Sequence, residues 1–269
     1  MIGTEKLELI IELALWSGCL QKERPLSLLI IAKPESGKSQ LVLRYKVNNP
    51  GVIVISDCTA HGIQKTFLNE MKDKLIHHII IPDLITPLSR QPATVATFIA
   101  FLNGLTEEGI VEVHTFAQDF KVDGLNVGLV STITPSILND SRHRWTRMGF
   151  LSRMLPVAYK YSQKTAQEVL NSITKREYKE YTPKQLNMPI ERQEVNLPRK
   201  YAQAMLPLTE RFSLSLKKAE RLYGFRHQKQ LQVLLQAHAL MSGRDKVNSE
   251  DVDAVKSIIG FVGTKARKL

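Results

Sequence analysis

The stretch IIAKPESGKSQLVLRY (Ile30–Tyr45) decides how this chain is read. It opens inside a short apolar run, LSLLIIA (Leu26–Ala32), of the kind that forms a buried strand, and closes on a helix-forming segment from Ser39 to about Tyr45. Between the two, Gly37, Lys38 and Ser39 supply the second half of a phosphate-binding loop, G-x-x-x-x-G-K-[ST]. A loop between a strand and a helix turns successive main-chain N–H groups toward an anion, and the helix N-terminus adds to the field. The expected cradle is Ala32, Lys33, Pro34, Glu35, Ser36, Gly37, Lys38, Ser39 and Gln40, with Lys38 reaching the β- and γ-phosphates of ATP and Ser39 holding Mg²⁺. The first half of the motif departs from the pattern. Ala32 stands where glycine is usual, which is tolerable at negative φ, and Glu35 is tolerable only if its carboxylate points away from the phosphates. The plainer alternative is a strand–turn–helix carrying a chance Gly-Lys-Ser.

Outward from this loop, apolar runs alternate with helical patterns. GVIVIS (Gly51–Ser56), HHIIIPDL (His77–Leu84), GIVEVHTF (Gly109–Phe116), NVGLVSTIT (Asn126–Thr134) and LPVAYKYS (Leu155–Ser162) read as strands. Helical patterns cover 5–20, 62–75 and Thr94–Leu105, and a turn containing Asp123 and Gly124 is expected to join the strands on either side. This alternation predicts an α/β fold with a mostly parallel sheet and helices on both faces. Strand signals fade after Gln163, YTPKQLNMPIERQEVNLP (Tyr181–Pro198) reads as an extended connector with three prolines, and 198–260 read as helices. Residues 1–162 are thus expected to form an α/β nucleotide-binding core, and 163–269 a connector and helical lid.

Asp83 closes the apolar run IIIPD and could hold Mg²⁺ through water at a strand's carboxyl end; otherwise it is a surface residue in a strand-to-helix turn. The next residue, Leu84, can neither accept a proton nor orient water, so ATP hydrolysis is expected to be slow, and Leu84→Glu to raise it.

Of the 269 residues, 43% are hydrophobic and 23% charged, an ordinary globular composition. The longest early apolar stretch, LELIIELALW (Leu7–Trp16), carries Glu8 and Glu12, which argues against a membrane span or secretory signal. Cys19 and Cys58 form neither metal-ligand spacing nor a disulfide framework, and a reducing cytoplasm is the expected setting. The net charge of +11 fits a nucleic-acid partner.

Several stretches resemble the AAA+ ATPases, in particular the MCM-type replicative helicases. GKSQLVLRY (Gly37–Tyr45) is similar to that family's phosphate loop, and VIVISDCTAHGI (Val52–Ile63) to the strand and turn that follow. STITP (Ser131–Pro135) is similar to its sensor strand, with Thr134 in place of asparagine. GFLSRMLPV (Gly149–Val157) resembles the stretch bearing the trans-acting arginine, and RHQKQLQVLLQAHALM (Arg226–Met241) with VNSEDV (Val247–Val252) resembles the lid. The resemblance spans roughly 26–260; it departs at Ala32, Glu35, Leu84 and Thr134, and the Lys38–Asp83 interval is short for the family's long hairpin. It implies a P-loop NTPase (AAA+) parallel sheet core flanked by helices and followed by a helical lid, binding ATP and Mg²⁺. Thr134 would meet the γ-phosphate or attacking water, Arg153 would complete a neighbour's site, and Arg226 would fork onto a phosphate. It also implies a homo-oligomer, a hexameric ring or filament, acting on DNA as a helicase, loader or mobile-element replication or recombination factor; a chain of this length shows no separate DNA-reading domain, so a further protein partner could supply DNA specificity. The different-class alternative is a nucleotide-gated interaction module that binds ATP with little hydrolysis. Arg142, His143, Arg144 and Arg147 around Trp145 read as a subunit interface or a nucleic-acid contact, and KREYKEY (Lys175–Tyr181) as a solvated helix face.

Overall fold

The computed structural model describes residues 2–47, 49–115, 118–177, 182–215 and 223–269, without the side chains of 111–123 and 214–215. Its centre is a six-stranded, all-parallel sheet made of β1 (Leu28–Ile31), β2 (Val52–Val54), β3 (His78–Ile81), β6 (Gly128–Ile133), β7 (Leu155–Lys160) and β8 (Arg267–Lys268). The order across the sheet is β2-β3-β6-β1-β7-β8. β1, β3 and β6 are buried at every position, as central strands must be when helices cover both faces, and the polar His78, Ser131 and Thr132 are buried with them.

Alternation along the strands divides the core in two. Leu28, Ile30, Ile80, Val130 and Val157 face one layer, built with α1 (Glu5–Trp16), α2 (Lys38–Leu43), α11 (Phe225–Met241) and α12 (Ser249–Ile258). Leu29, Ile31, Ile79, Ile81, Leu129 and Ile133 face the other, built with α3 (Ala60–Lys72), α5 (Pro92–Asn103), α6 (Pro135–Arg147) and α7 (Phe150–Arg153). α11, expected in a lid, packs on α1 through Leu231, Leu234 and Leu235 and shares the main core. The remaining helices are α4 (Ile85–Leu88), α8 (Gln163–Thr174), α9 (Arg199–Gln203) and α10 (Leu206–Ser215). Among the described residues, no helix is long and apolar enough to cross a membrane.

Two expectations change. The run from Gly109 does not enter the sheet: β4 (Ile110–Thr115) pairs antiparallel with β5 (Gln118–Leu125) as a separate hairpin. Asp123 and Gly124 lie within β5, opposite a register shift between Ile110 and Glu112, and Phe116 lies outside the described residues. The sheet has no place for β4, because β3 pairs directly with β6. The second change is β8, an exposed edge strand of two basic residues that carries no apolar pattern to announce it. The latter half of KREYKEY, 178–181, also lies outside the described residues.

The amino edge of the sheet holds a buried imidazole pair. His78 Nε2 lies 3.0 Å from Leu26 O, so it carries the proton and donates; His77 Nδ1 then donates to His78 Nδ1 at 2.8 Å. The rings fit because three neighbours lack side chains: a Cβ at Gly18 would lie 2.1 Å from His77 Nδ1, one at Gly51 2.2 Å from His77 Cδ2, and one at Gly128 2.4 Å from His78 Nε2. Burial holds His77 down to about 4 and His78 well below the ordinary histidine value. In the unfolded chain both titrate near 6.5, so that state takes up protons first. Their contribution to stability is complete above about pH 6.5 and falls as the pH drops toward 4. For His77 alone, denaturant unfolding at pH 7 and pH 5 is expected to differ by about 2 kcal/mol, with His78 adding in the same direction. Equal stability at the two pH values would mean that the rings are solvated.

Candidate functional site

The Gly-Lys-Ser loop leaves the carboxyl end of β1, with β6 on one side and β7 on the other. From β1 the chain travels past β6 and β3 to reach β2, and the later β6-to-β7 connection crosses β1 in the opposite sense. The loop therefore lies in a crevice where chain direction switches, the usual ligand position in a parallel α/β sheet. Ala32 N–H donates to Ile133 O at 3.2 Å, placing Thr134 beside the start of the loop. Ile81 is in register with Ser131, and Ile31 with Ile133, so Asp83 lies at the same edge one strand beyond β6. Two strand spacings put the bases of the loop and of Asp83 about 10 Å apart.

The loop is held open. Glu35 (φ 61°) and Gly37 (φ 75°) are both left-handed. For glutamate that conformation costs about 1–2 kcal/mol, and its side chain is exposed, directed out as the sequence required. Ala32 is not left-handed, so glycine is not needed there. The Ser36 hydroxyl donates to Lys33 O at 2.6 Å, and the Ser36 carbonyl accepts from the Tyr159 and Tyr161 hydroxyls, each at 3.0 Å. Tyr159 lies in β7 and Tyr161 just beyond its carboxyl end. Sequence reading missed them, since the apolar pattern of LPVAYKYS gives no sign of where its hydroxyls point.

With the carbonyl turned to the tyrosines, the main-chain N–H groups of Gly37, Lys38, Ser39 and Gln40 donate to nothing among the described residues. Lys38 is only 9% exposed, yet its ammonium has no ion pair or hydrogen bond among the described residues. Asp83 Oδ1 accepts from Ile85 N–H at 3.0 Å and so starts α4. The half-buried Asp83 combines a turn role with a place at the site edge. Thr134 Oγ1 lies 3.1 Å from Ser136 Oγ. Leu84 is 0% exposed and packs in the core layer of Ile81 and Ile133.

Arg153 and Arg226 lie at the opposite, amino edge. Arg153 ends α7 just before β7, and Arg226 begins α11. They share a cleft of 360 Å³ with Pro25, Leu26 and Ser27, the residues that precede β1. Arg226 Nε meets Glu107 Oε1 at 2.6 Å and its Nη1 donates to Ser152 Oγ at 2.9 Å, while Arg153 pairs with Glu108. The length of β1, about 13 Å for four residues, separates this cluster from the loop, so one chain does not bring them together. Trp145 is buried edge-to-face on Phe150 with centroids 5.8 Å apart, which leaves His143, Arg144 and Arg147 exposed without the expected aromatic. A separate apolar cavity of 430 Å³ lies among α6, α7, α10 and α11, with Arg142 and Arg226 among its lining, and does not reach the loop.

No protein-family model matches the chain and no curated protein matches it, so the site is characterised by its own geometry: an open strand-to-helix loop with four unpaired main-chain donors and a mostly buried lysine, Lys38, without an ion pair among the described residues.

Proposed function

We propose that this chain is an AAA+-like P-loop protein that binds ATP with Mg²⁺ on the loop Lys33–Gln40, hydrolyses it slowly, and uses the bound nucleotide to govern assembly with further copies of itself. The unpaired Lys38 ammonium carries this reading. Lys38 has no counter-charge among the described residues, and an arriving phosphate would bond its ammonium and the donors of Gly37–Gln40 together. The Ser39 hydroxyl and the Asp83 oxygen not bonded to Ile85 are oxygen donors of the kind Mg²⁺ prefers, and phosphates and water would complete its shell. The ion would neutralise charge on the phosphates. Thr134, through its hydroxyl, would orient the γ-phosphate or the attacking water.

Slow turnover follows from Leu84. With that side chain in the core, no carboxylate follows Asp83 to accept a proton from water, which favours nucleotide-gated assembly over a fast motor. Arg153 and Arg226 face away from their own loop, as they would if they completed the site of a neighbouring copy in a ring or filament. The net charge of +11 fits DNA as the polymer bound by that assembly, a contact that would weaken steeply with salt.

The test is titration of a fluorescent ATP analogue with and without Mg²⁺, with light scattering to read assembly. Asp83→Asn is expected to weaken Mg²⁺-dependent binding about tenfold, the scale of one charge-assisted contact, while binding without Mg²⁺ stays as it was. An unchanged metal dependence would move the Mg²⁺ ligand elsewhere.

A further inference from the structure

We propose that Glu107 is an internal anion occupying a phosphate-oxyanion site formed by Arg24, Arg153 and Arg226, and that phosphate binds there by displacing it. This rests on the reading of Arg153 and Arg226 as phosphate-facing groups. It does not depend on the Lys33–Gln40 loop.

Three guanidinium groups converge on Glu107; of these, Arg153 is also paired with Glu108 through Nη2 and donates from Nη1 to Gly149 O at 2.7 Å. Glu107 Oε1 lies 2.6 Å from Arg226 Nε and 4.0 Å from Arg24, and Oε2 lies 3.6 Å from Arg153 Nε. Lys22, Lys229 and the carboxylate of Glu23 line the same cleft, which keeps an excess of positive charge. Of the contacts to Glu107, only that of Arg226 is of hydrogen-bond length. The Arg153 side chain is 10% exposed, and its Nε has no hydrogen-bond partner, a costly condition for a buried charged donor. Glu107 has two oxygens to share among three forks, and Glu108 engages only the Nη2 of Arg153, leaving its Nε without a hydrogen bond. A phosphate presents three oxygens in a tetrahedral spread, which can meet Arg226, Arg153 and Arg24 together.

The backbone beneath Glu107 is unusual as well. Gly104–Glu108 is a π-helical turn closed by Gly109 N–H on Gly104 O at 2.8 Å, with Gly109 left-handed at φ 79°. Such turns hold an extra residue that ordinary helix geometry would not accommodate, and they recur at functional positions. Here the turn aims Glu107 into the cleft and leads directly into the β4–β5 hairpin. Glu107 is 23% exposed, so its side chain can swing into solvent when phosphate arrives, without unfolding its surroundings.

The experiment uses the full chain carrying Lys38→Ala, so that the loop contributes least, and calorimetric titration with inorganic tripolyphosphate at low salt. Glu107→Gln is expected to tighten binding about tenfold, because one competing charge is removed. Glu108→Gln, whose carboxylate is mostly exposed, is expected to change it by no more than about twofold. Adding Arg226→Ala to Glu107→Gln is expected to cancel the gain. Should Glu107→Gln fold poorly, Glu107→Asp retracts the carboxylate and is expected to tighten binding by a smaller factor. Unchanged or weaker binding in well-folded Glu107→Gln, or an equal gain in Glu108→Gln, would overturn the proposal. ATP binding by the Lys38→Ala parent at the wild-type level would instead overturn the loop assignment, leaving the Glu107 comparison intact.

Discussion

Lys38→Ala is expected to abolish ATP binding while leaving the fold unharmed. The side chain is buried to 9% exposure and pairs with nothing among the described residues, so its removal breaks no ion pair or hydrogen bond. Its packed methylenes are lost as well, so thermal unfolding is expected at a slightly lower temperature with the fold retained. Bound ATP would lose the point charge that bridges its outer phosphates. Charge-assisted hydrogen bonds contribute about 1.5–3 kcal/mol each, and two of them correspond to about 10²–10⁴ in affinity. Fluorescent-nucleotide titration measures the loss, and circular dichroism shows whether the fold is retained. Wild-type affinity in a folded Lys38→Ala protein would mean that the loop is a structural turn.

Leu84→Glu is expected to destabilise the protein by about 3–5 kcal/mol and to bring no gain in hydrolysis, the scale seen when a buried leucine is lost or a charge is buried unpaired. From sequence alone the same substitution looks like repair of a missing base. The structure reverses that expectation because Leu84 is fully buried in the layer of Ile81, Ile133 and Leu138. A glutamate there sits in apolar surroundings that raise its pKa, so it folds protonated but ionises when unfolded. The penalty therefore grows as the pH rises through the ordinary carboxylate range, and denaturant unfolding at pH 5 and pH 7.5 separates this from simple loss of packing. Retained stability together with faster ATP turnover would show that the side chain turns toward the loop.

What was legible in the sequence was local. The runs LLII, HIII and GLVSTI announce buried strands because neighbouring apolar residues bury both faces of a sheet, and the residues between strand and helix name the Gly-Lys-Ser loop outright. The exposure required of Glu35 also followed from its chemistry. Tertiary structure decided everything that depends on distant segments. The partner of Ile110–Thr115 and the docking of Arg267–Lys268 on β7 are pairings whose hydrogen bonds leave no mark on local composition. Tyr159 and Tyr161 reach Ser36 only because β7 is the neighbour of β1. The opposite placement of Lys38 and the Arg153–Arg226 pair follows from which end of each strand a residue adjoins. Asp83 and Leu84 are adjacent in the chain, but the turn of the backbone after β3 sends one to the crevice edge and the other into the core. A sequence names which groups are available; only packing a sheet between two helical layers determines which of them face each other.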